Sequence, residues 1–273
     1  MESLSAFRWD VSPEIFSIGP VHIRWYGLLF ALAFIIGYQL LSWIFKVEAK
    51  NQKKLDSFTI QMIIATVAGA RLGHCLFYNP LYYLNNPLEF LAVWEGGLAS
   101  HGAALGIMFA VWLFSIRNKE FSLYWLMDRL TIPVALAAAF VRFGNFFNSE
   151  IVGRPSDLPW AVIFVRNQQF VDLLPRHPTQ LYEAFSYIII FILLLIIYKK
   201  YKEKTSSGLL AGLFLTLLFS ARFIIEYFKE FQSAFENNLP LDMGQLLSLP
   251  MIAIGVYLLV TIKSRNNQNR ATL

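Results

Sequence analysis

The residues best suited to chemistry lie at the ends of apolar stretches. In "AAAFVRFGNFFNSEIVGRP" an apolar run acquires Arg142, Asn145 and Glu150 within a few residues, and a later apolar run carries Arg222 and Glu226. The arginine side chain is a planar fork that stays charged and can bind a phosphate through paired hydrogen bonds. The two arginines therefore predict a site for a phosphate group.

His101 adds a group that can move a proton. It follows "EGGLAS" at the beginning of an apolar run, with Gly102 directly after it. A histidine takes up a proton near neutral pH, and the start of a helix favours an anion through its free N–H groups and its dipole. Gly102 would let a backbone or a ligand approach closely. Taken alone, His101 could equally be a hydrogen-bonded residue at a helix terminus.

The composition indicates a membrane protein. The 273 residues are 56% hydrophobic and 15% charged, with a mean hydropathy of +0.50, whereas soluble domains carry about 25% charged residues. The basic residues behind the net charge of +5 form short clusters between apolar segments, so they do not indicate nucleic-acid binding. Cys75 is the single cysteine, which excludes an intrachain disulfide. The N-terminal segment lacks a basic n-region, so we expect the first apolar run to be retained.

Apolar windows predict an all-α polytopic membrane protein with about seven transmembrane helices. The predicted spans are about 22–45, 57–78, 97–116, 122–143, 179–199, 208–230 and 244–263. We expect residues 1–273 to form one membrane-embedded domain.

Lysine and arginine alternate between the loops. They are concentrated in "KVEAKNQKKLD", "IRNKE", "YKKYKEK" and the C-terminal tail, which predicts the N-terminus outside and the C-terminus in the cytoplasm. The long connection 144–178 is outside by this rule although it holds several arginines, and it is predicted to be a small external head. "NPLYYLNNPLEFLAVW" is interpreted as an interfacial segment on the same side.

With this orientation, polar side chains gather near the outer leaflet. Ionisable groups in a bilayer are costly and usually face a functional cavity, so the set predicts a site for a phospholipid headgroup. Its members are Tyr26, Arg71, His101, Arg142, Asn145, His177, Gln180, Glu183, Arg222, Glu226 and Gln245. Asp128 and Arg129 lie toward the cytoplasm and are interpreted as structural or interfacial.

Structural explanations exist for single residues. Arg222 and Glu226, at i,i+4 spacing, could form an ion pair within one helix. Glu183 could pair with Arg71 for packing alone, and Tyr26 could be an ordinary membrane-interface aromatic. The sequence contains no metal-ligand cluster and no nucleotide-binding glycine motif, so no metal or cofactor is expected.

Several ordered motifs resemble one known family. "HGAALG", "RFGNFFNSEIVGRP", "RHPTQLYEA" and "ARFIIEYFKE" look like motifs of the bacterial prolipoprotein diacylglyceryl transferases, and "IFSIGPVHIRWYGLLF" looks like their opening segment. The similarity extends from about Ile15 to Ile262. Two positions depart from the family: Ala103 and Ser149 stand where the family often has glycine. The external head is also short.

The resemblance implies a reaction and its substrates. Such an enzyme takes the diacylglyceryl group of phosphatidylglycerol, transfers it to the lipobox cysteine thiol of a prolipoprotein and releases glycerol phosphate, at the outer face of the bacterial cytoplasmic (inner) membrane. The resemblance implies that the sensitive residues are Tyr26, His101, Arg142, Asn145, Gly153 and Arg222, with Glu150 and Glu226 in support. Together with the polar cluster, it leads us to predict as catalytic His101, Arg142, Arg222 and Tyr26. Substrate binding is predicted for Arg142, Asn145, Glu150, Gly153, Arg222 and Glu226, with Arg71, Gly102, His177, Gln180, Glu183 and Gln245 in support.

The working hypothesis assigns His101 as the base that removes the thiol proton. Arg142 and Arg222 would hold the leaving phosphate, and Glu150 and Glu226 would orient them. A phospholipid transporter or scramblase using the same basic cavity is the alternative, although the inner halves of the spans are nearly apolar. An intramembrane protease is disfavoured because the sequence has no G-x-S-x-G motif and only one aspartate within a predicted span.

Overall fold

The structure, a computed structural model, describes residues 6–19, 21–92, 97, 99–170, 172–230 and 241–265. Its helices are α1 (Trp25–Val47), α2 (Gln52–Tyr78), α3 (Pro80–Asn85), α4 (Ser100–Arg117), α5 (Leu123–Phe147), α6 (Thr179–Tyr201), α7 (Leu209–Glu226) and α8 (Met243–Val260). Four short strands accompany them: β1 (Phe7–Trp9), β2 (Glu14–Ile18), β3 (Val21–Arg24) and β4 (Val162–Phe164).

An apolar helix is present at every predicted span, which confirms the all-α polytopic fold class. Among the described residues, six helices are long and apolar enough to cross a membrane: α1, α2, α5, α6, α7 and α8. Helix α4 is apolar but shorter. The chain is therefore a membrane protein.

Two predicted helix ends are wrong. Helix α5 continues to Phe147 rather than 143, so Asn145 is helical and the following connection begins at Asn148. Helix α7 ends at Glu226 rather than 230, because the next residues pair with that connection: Arg154 N donates to Phe228 O at 2.9 Å. In the segment predicted to be interfacial, α3 and a 3-10 turn (Pro87–Leu91) carry exposed leucines, and residues 93 and 94 lie outside the described residues.

The strands were not predicted. β1 pairs in parallel with β4, and β2 pairs antiparallel with β3. Beside the β1–β4 pair, Phe146, Val152, Val162 and Phe164 form a small buried cluster against which Trp9 packs. This cluster fixes the connection after α5 to the N-terminal segment.

The chain divides into two compact units, one formed by Met1–Leu40 and Asp128–Leu273, the other by Leu41–Met127. In the first unit, α7 lies against α8 where small residues face each other: a side chain on Gly255 would collide with Thr216, and one on Gly212 with Leu259. Close approach through small residues is the usual way in which helices associate in membranes.

Asp128 has a structural position in the same unit, as the sequence suggested. Its carboxylate accepts hydrogen bonds from the backbone N–H groups of Gly208 and Ala211, at 2.8 and 2.9 Å. It thereby satisfies the first free donors of α7, which has no side-chain cap of its own.

The second unit is built on the packing of α2 against α4. Each helix presents two glycines four residues apart, Gly69 and Gly73 on α2 and Gly102 and Gly106 on α4. A Cβ at Gly102 would meet the backbone of Gly69 and Gly73. Gly102 does permit close backbone approach, and the group that approaches it is α2.

We expect Gly102→Val to weaken the second unit, because backbone atoms of α2 cannot move aside as a flexible side chain would. Overpacking of this kind costs about 1–3 kcal/mol. A lower thermal midpoint in detergent would be measured relative to Ala104→Val, which introduces the same side chain at an exposed position of α4. Equal midpoints for the two variants would contradict the packing account.

Candidate active site

A buried carboxylate organises the polar cluster of the first unit. Glu183 lies in α6 and is fully buried. Its Oε2 lies 2.9 Å from Nε of Arg142, and its Oε1 lies 3.1 Å from Nζ of Lys229 and 3.6 Å from Nη1 of Arg222. The Tyr187 hydroxyl donates to Oε1 at 3.1 Å. Three cations and one phenol thus compensate a charge that burial alone would make very costly.

The two arginines reach Glu183 from different helices. Arg142 projects from the last turns of α5, and Arg222 from the last turns of α7. Their side chains keep 14% and 23% exposure, whereas Glu183 has none. The two arginine side chains therefore form the accessible side of the cluster, and the carboxylate forms its sealed side.

A second chain of contacts runs from Arg142 into the connection after α5. Arg142 donates to Oδ1 of Asn145 at 3.2 Å, and Nδ2 of Asn145 donates to Oε1 of Glu150 at 2.7 Å. Asn148 donates to the same Glu150 oxygen at 3.2 Å. Glu150 thus orients Arg142 through Asn145, which refines the direct role expected for it.

The start of α6 holds the backbone beside Glu150. Gln180 donates to the Glu150 carbonyl at 2.7 Å, and Thr179 donates to the Ile151 carbonyl at 3.1 Å. Ser149 and Ile151, on either side of Glu150, have φ values of +54° and +58°. Non-glycine residues are strained in this region, and such strain clusters at functional sites.

Gly153 is required by close backbone contacts. Its N–H donates to the His177 carbonyl at 2.9 Å, and a Cβ there would lie 2.6 Å from atoms of His177 and Phe228. His177 itself is placed by a 3.1 Å contact between Nδ1 and the Tyr182 hydroxyl. Partial burial lowers the pKa of the His177 imidazole from its usual value. The sequence predicts Gly153 and His177 at the site. In the structure they belong instead to the backbone connection that supports Glu150.

Glu226 is the last residue of α7, and its side chain packs against the beginning of α8. Its carboxylate occupies the space that a side chain on Gly244 would need, close to the positive end of that helix. Gln245 completes a capping box with Asp242, and its Nε2 donates to the Phe223 carbonyl at 3.3 Å. Gln245 therefore fixes α8 against α7.

Glu226 and Arg222 have different partners from those expected within one helix. Oε2 of Glu226 lies 3.0 Å from Nζ of Lys229, while Arg222 pairs with Glu183 on α6. Burial lowers the pKa of the Lys229 ammonium from its usual value, and the two neighbouring carboxylates act in the opposite direction. In the described contacts, Glu183 has the orienting position that the hypothesis gave to Glu226.

Tyr26 belongs to the same unit. Its ring packs on Gly144, where a Cβ would come within 2.6 Å of it, and it lies within electrostatic range of Glu150 and Arg142. It lines an open cleft of about 530 Å³ together with Asn148. The structure therefore brings Tyr26 to the Arg142 side of the cluster.

The remaining predicted residues belong to the unit Leu41–Met127. His101 is exposed at the start of α4, with its ring 5.1 Å from that of Phe77 and 6.3 Å from that of Tyr78. Arg71 is buried and donates to the carbonyls of Glu89 and Phe90, so it holds the turn that follows α3. The convergence of His101 with the arginines stays a prediction.

Comparison with known proteins adds a separate line of evidence. A family model described as prolipoprotein diacylglyceryl transferase matches residues 13–261. The phosphatidylglycerol–prolipoprotein diacylglyceryl transferase of Chloroherpeton thalassium is 50% identical over 95% of both chains. The proteins of the same name from Tolumonas auensis and Porphyromonas gingivalis are 48% and 44% identical, over 92% and 94% of this chain and 96% and 95% of their own.

The chain belongs to the prolipoprotein diacylglyceryl transferase family.

The structure gives a physical explanation for the departure from the family motif at Ser149. Ser149 was noted as standing where glycine is common, and its φ of +54° is the conformation that glycine adopts without strain. The serine keeps the turn before Glu150 at some cost in backbone strain. The replacement does not displace Glu150 from Asn145.

Sequence reasoning missed two members of the cluster. Neither Lys229 nor Tyr187 is singled out by the sequence analysis. Tyr187 lies one turn after Glu183 on α6, and Lys229 lies one turn after Glu226, so helical spacing from each glutamate could have indicated them. Arg176, also missed, is buried and binds Glu230 at 2.9 Å and Asp172 at 2.8 Å within the supporting connection.

We expect Glu183→Gln to destabilise the protein strongly, since three cations would then face one another without their common carboxylate. Removing one partner of a buried ion pair costs about 3–5 kcal/mol. Thermal unfolding in detergent would measure the loss, with the exposed Glu203→Gln as the matched control. An unchanged midpoint for Glu183→Gln would contradict the organising role of this carboxylate.

Proposed function

We propose that this protein transfers the diacylglyceryl group of phosphatidylglycerol to the lipobox cysteine thiol of prolipoproteins and releases glycerol phosphate. Family membership supports the reaction type, and the names of the relatives identify the two substrates. The observation that carries the proposal in this chain is the pair of partly exposed guanidinium groups of Arg142 and Arg222, held on one buried carboxylate.

The reaction exchanges one bond of the lipid for another. The cysteine sulfur attacks the carbon of the diacylglyceryl group that carries the phosphate. A thioether C–S bond forms, and the C–O bond between that carbon and the phosphate oxygen breaks. The leaving glycerol phosphate takes the electron pair and gains negative charge. Guanidinium donors fixed in a partly dry site stabilise that developing charge because they need no reorganisation.

The surrounding residues have roles that follow from their contacts. Glu183 fixes the direction of both arginines, and Asn145 links Arg142 to Glu150, so neither guanidinium has to be ordered when the lipid binds. We assign headgroup contact to Tyr26, and its position in the lining of the open cleft beside Asn148 supports this assignment.

A base must also take the thiol proton. A free cysteine has a pKa of about 8.5 and is mostly protonated at neutral pH, whereas the thiolate is the nucleophile. We assign this step to His101. The assignment rests on the chemistry of its imidazole, its exposure at the start of α4 and its match to the family motif.

We further propose that the protein acts at the outer face of the bacterial cytoplasmic membrane. The alternation of lysine and arginine among the loops supports this orientation. It places Arg142 and Arg222, near the ends of α5 and α7, beside the outer leaflet.

Purified protein incubated with phosphatidylglycerol and a lipobox peptide should add a diacylglyceryl mass to the peptide cysteine. Arg142→Gln should lower kcat on the order of 10²–10³-fold, since one donor to the developing charge is lost. Arg8→Gln, which removes an exposed arginine of β1, is the matched control. Lipid movement between leaflets without a mass shift on the peptide would favour the scramblase alternative.

His101→Gln should lower the rate of transfer at neutral pH by about 10²–10⁴-fold, because the thiol then lacks its base. The variant should recover as the pH rises above about 8.5, where the peptide thiol ionises by itself. Cys75→Ala, measured over the same pH series, should follow the unaltered protein because the nucleophile belongs to the substrate. A His101→Gln profile parallel to that of the unaltered protein would exclude the base role.

A further inference from the structure

Lys229 is a buried lysine with two carboxylate partners. Its side chain is 2% exposed, and its Nζ lies 3.1 Å from Glu183 and 3.0 Å from Glu226. Its backbone pairs with Gly153, and its carbonyl accepts a hydrogen bond from Nε of Arg154 at 2.9 Å. A lysine is rarely sealed from water unless its charge is paired, and here two carboxylates supply the pairing.

The charge balance of the cluster depends on this lysine. The described side chains of the network that are joined by direct ion pairs are the cations Arg142, Arg222 and Lys229 and the anions Glu183 and Glu226, which leaves one net positive charge. Glu150 is not counted, because it is exposed to water and reaches Arg142 only through Asn145. The same network without the lysine would be neutral. Two carboxylates at hydrogen-bond distance keep the ammonium in its charged form.

Exposure decides where the surplus charge appears. Lys229, Glu183 and Glu226 have side chains that are 2%, 0% and 6% exposed. Arg142 and Arg222, at 14% and 23%, are the members that a ligand can reach. The surplus is therefore presented through the two guanidinium forks, in surroundings where few water molecules screen it.

We propose that Lys229 is a positioning residue that sets the charge of the headgroup site. By compensating Glu183 and Glu226 from the sealed side, it leaves the two arginines with one positive charge for the ligand. A phosphodiester headgroup with no cation of its own, as in phosphatidylglycerol, carries the matching single negative charge. A zwitterionic headgroup does not. This inference rests on the proposed function, since it concerns the lipid that the same site binds.

The test compares Lys229→Met, Lys229→Arg and the double variant Lys229→Met/Glu226→Gln. The double variant removes one charge of each sign and so restores the net positive charge. Binding of dioleoyl phosphatidylglycerol and of dioleoyl phosphatidylethanolamine would be measured in mixed micelles without peptide, beside KM and kcat with a lipobox peptide. Lys200→Met, an exposed lysine of α6, is the matched control, and thermal midpoints are recorded for all variants.

Lys229→Met should weaken phosphatidylglycerol binding on the order of tenfold to a hundredfold, with a much smaller effect on phosphatidylethanolamine. Lys229→Arg should retain binding, and the double variant should recover most of it. If Lys229→Met does not fold, the double variant still decides the question, because it leaves neither charge of that pair unpaired.

Unaltered phosphatidylglycerol affinity in a folded Lys229→Met variant would overturn the inference, as would a folded double variant that binds as poorly as Lys229→Met. Recovery of the thermal midpoint without recovery of lipid binding would assign Lys229 to folding alone. If the unaltered protein binds the lipid with these charge effects but never modifies the peptide, the proposed function fails and the charge inference stands.

Discussion

The arrangement of the first unit depends on one carboxylate that water does not reach. Glu183 is tolerable in the interior only while Arg142, Arg222 and Lys229 are all close to it. These partners come from α5, from α7 and from the segment that follows α7, so one buried charge requires three parts of the chain to be in place together. The positions of the arginines are therefore a consequence of folding, and they are fixed before any lipid arrives.

The same requirement separates the cluster into a sealed side and an open side. The carboxylates and the lysine are buried, and Gly244 at the start of α8 leaves room for the Glu226 carboxylate. The guanidinium groups stay partly open, and Arg142 is steadied further by Asn145 and Glu150. An anion that docks on the open side meets two guanidinium groups whose orientation is already fixed by their contacts with Glu183. Donors fixed in this way give strong electrostatic stabilisation in a site that excludes water.

Much of this could be predicted from the sequence, for identifiable reasons. Long apolar runs indicate helices reliably, and polar residues inside such runs are rare enough to mark Arg142, Glu183 and Arg222. The partner of each charge could not be predicted. The i,i+4 spacing favours an ion pair between Arg222 and Glu226, whereas the packing of α6 against α7 brings Glu183 within ion-pair distance of Arg222. Lys229 was missed because it lies past the end of a helix, where a lysine usually faces water. Strands of three residues, such as β1 and β4, are too short to show an alternating pattern.

The pairing of β1 with β4 constrains how many times the chain crosses the bilayer between these two strands. The two strands lie before α1 and after α5 in sequence, yet they are hydrogen-bonded and so lie on one side of the membrane. A chain that leaves one side and returns to it crosses an even number of times. Among the described residues before β4, α1, α2 and α5 are long and apolar enough to cross once each, and α3, with six residues, is far too short. An even number of crossings therefore requires α4 as well, whose 18 residues extend about 27 Å, close to the thickness of the hydrocarbon core.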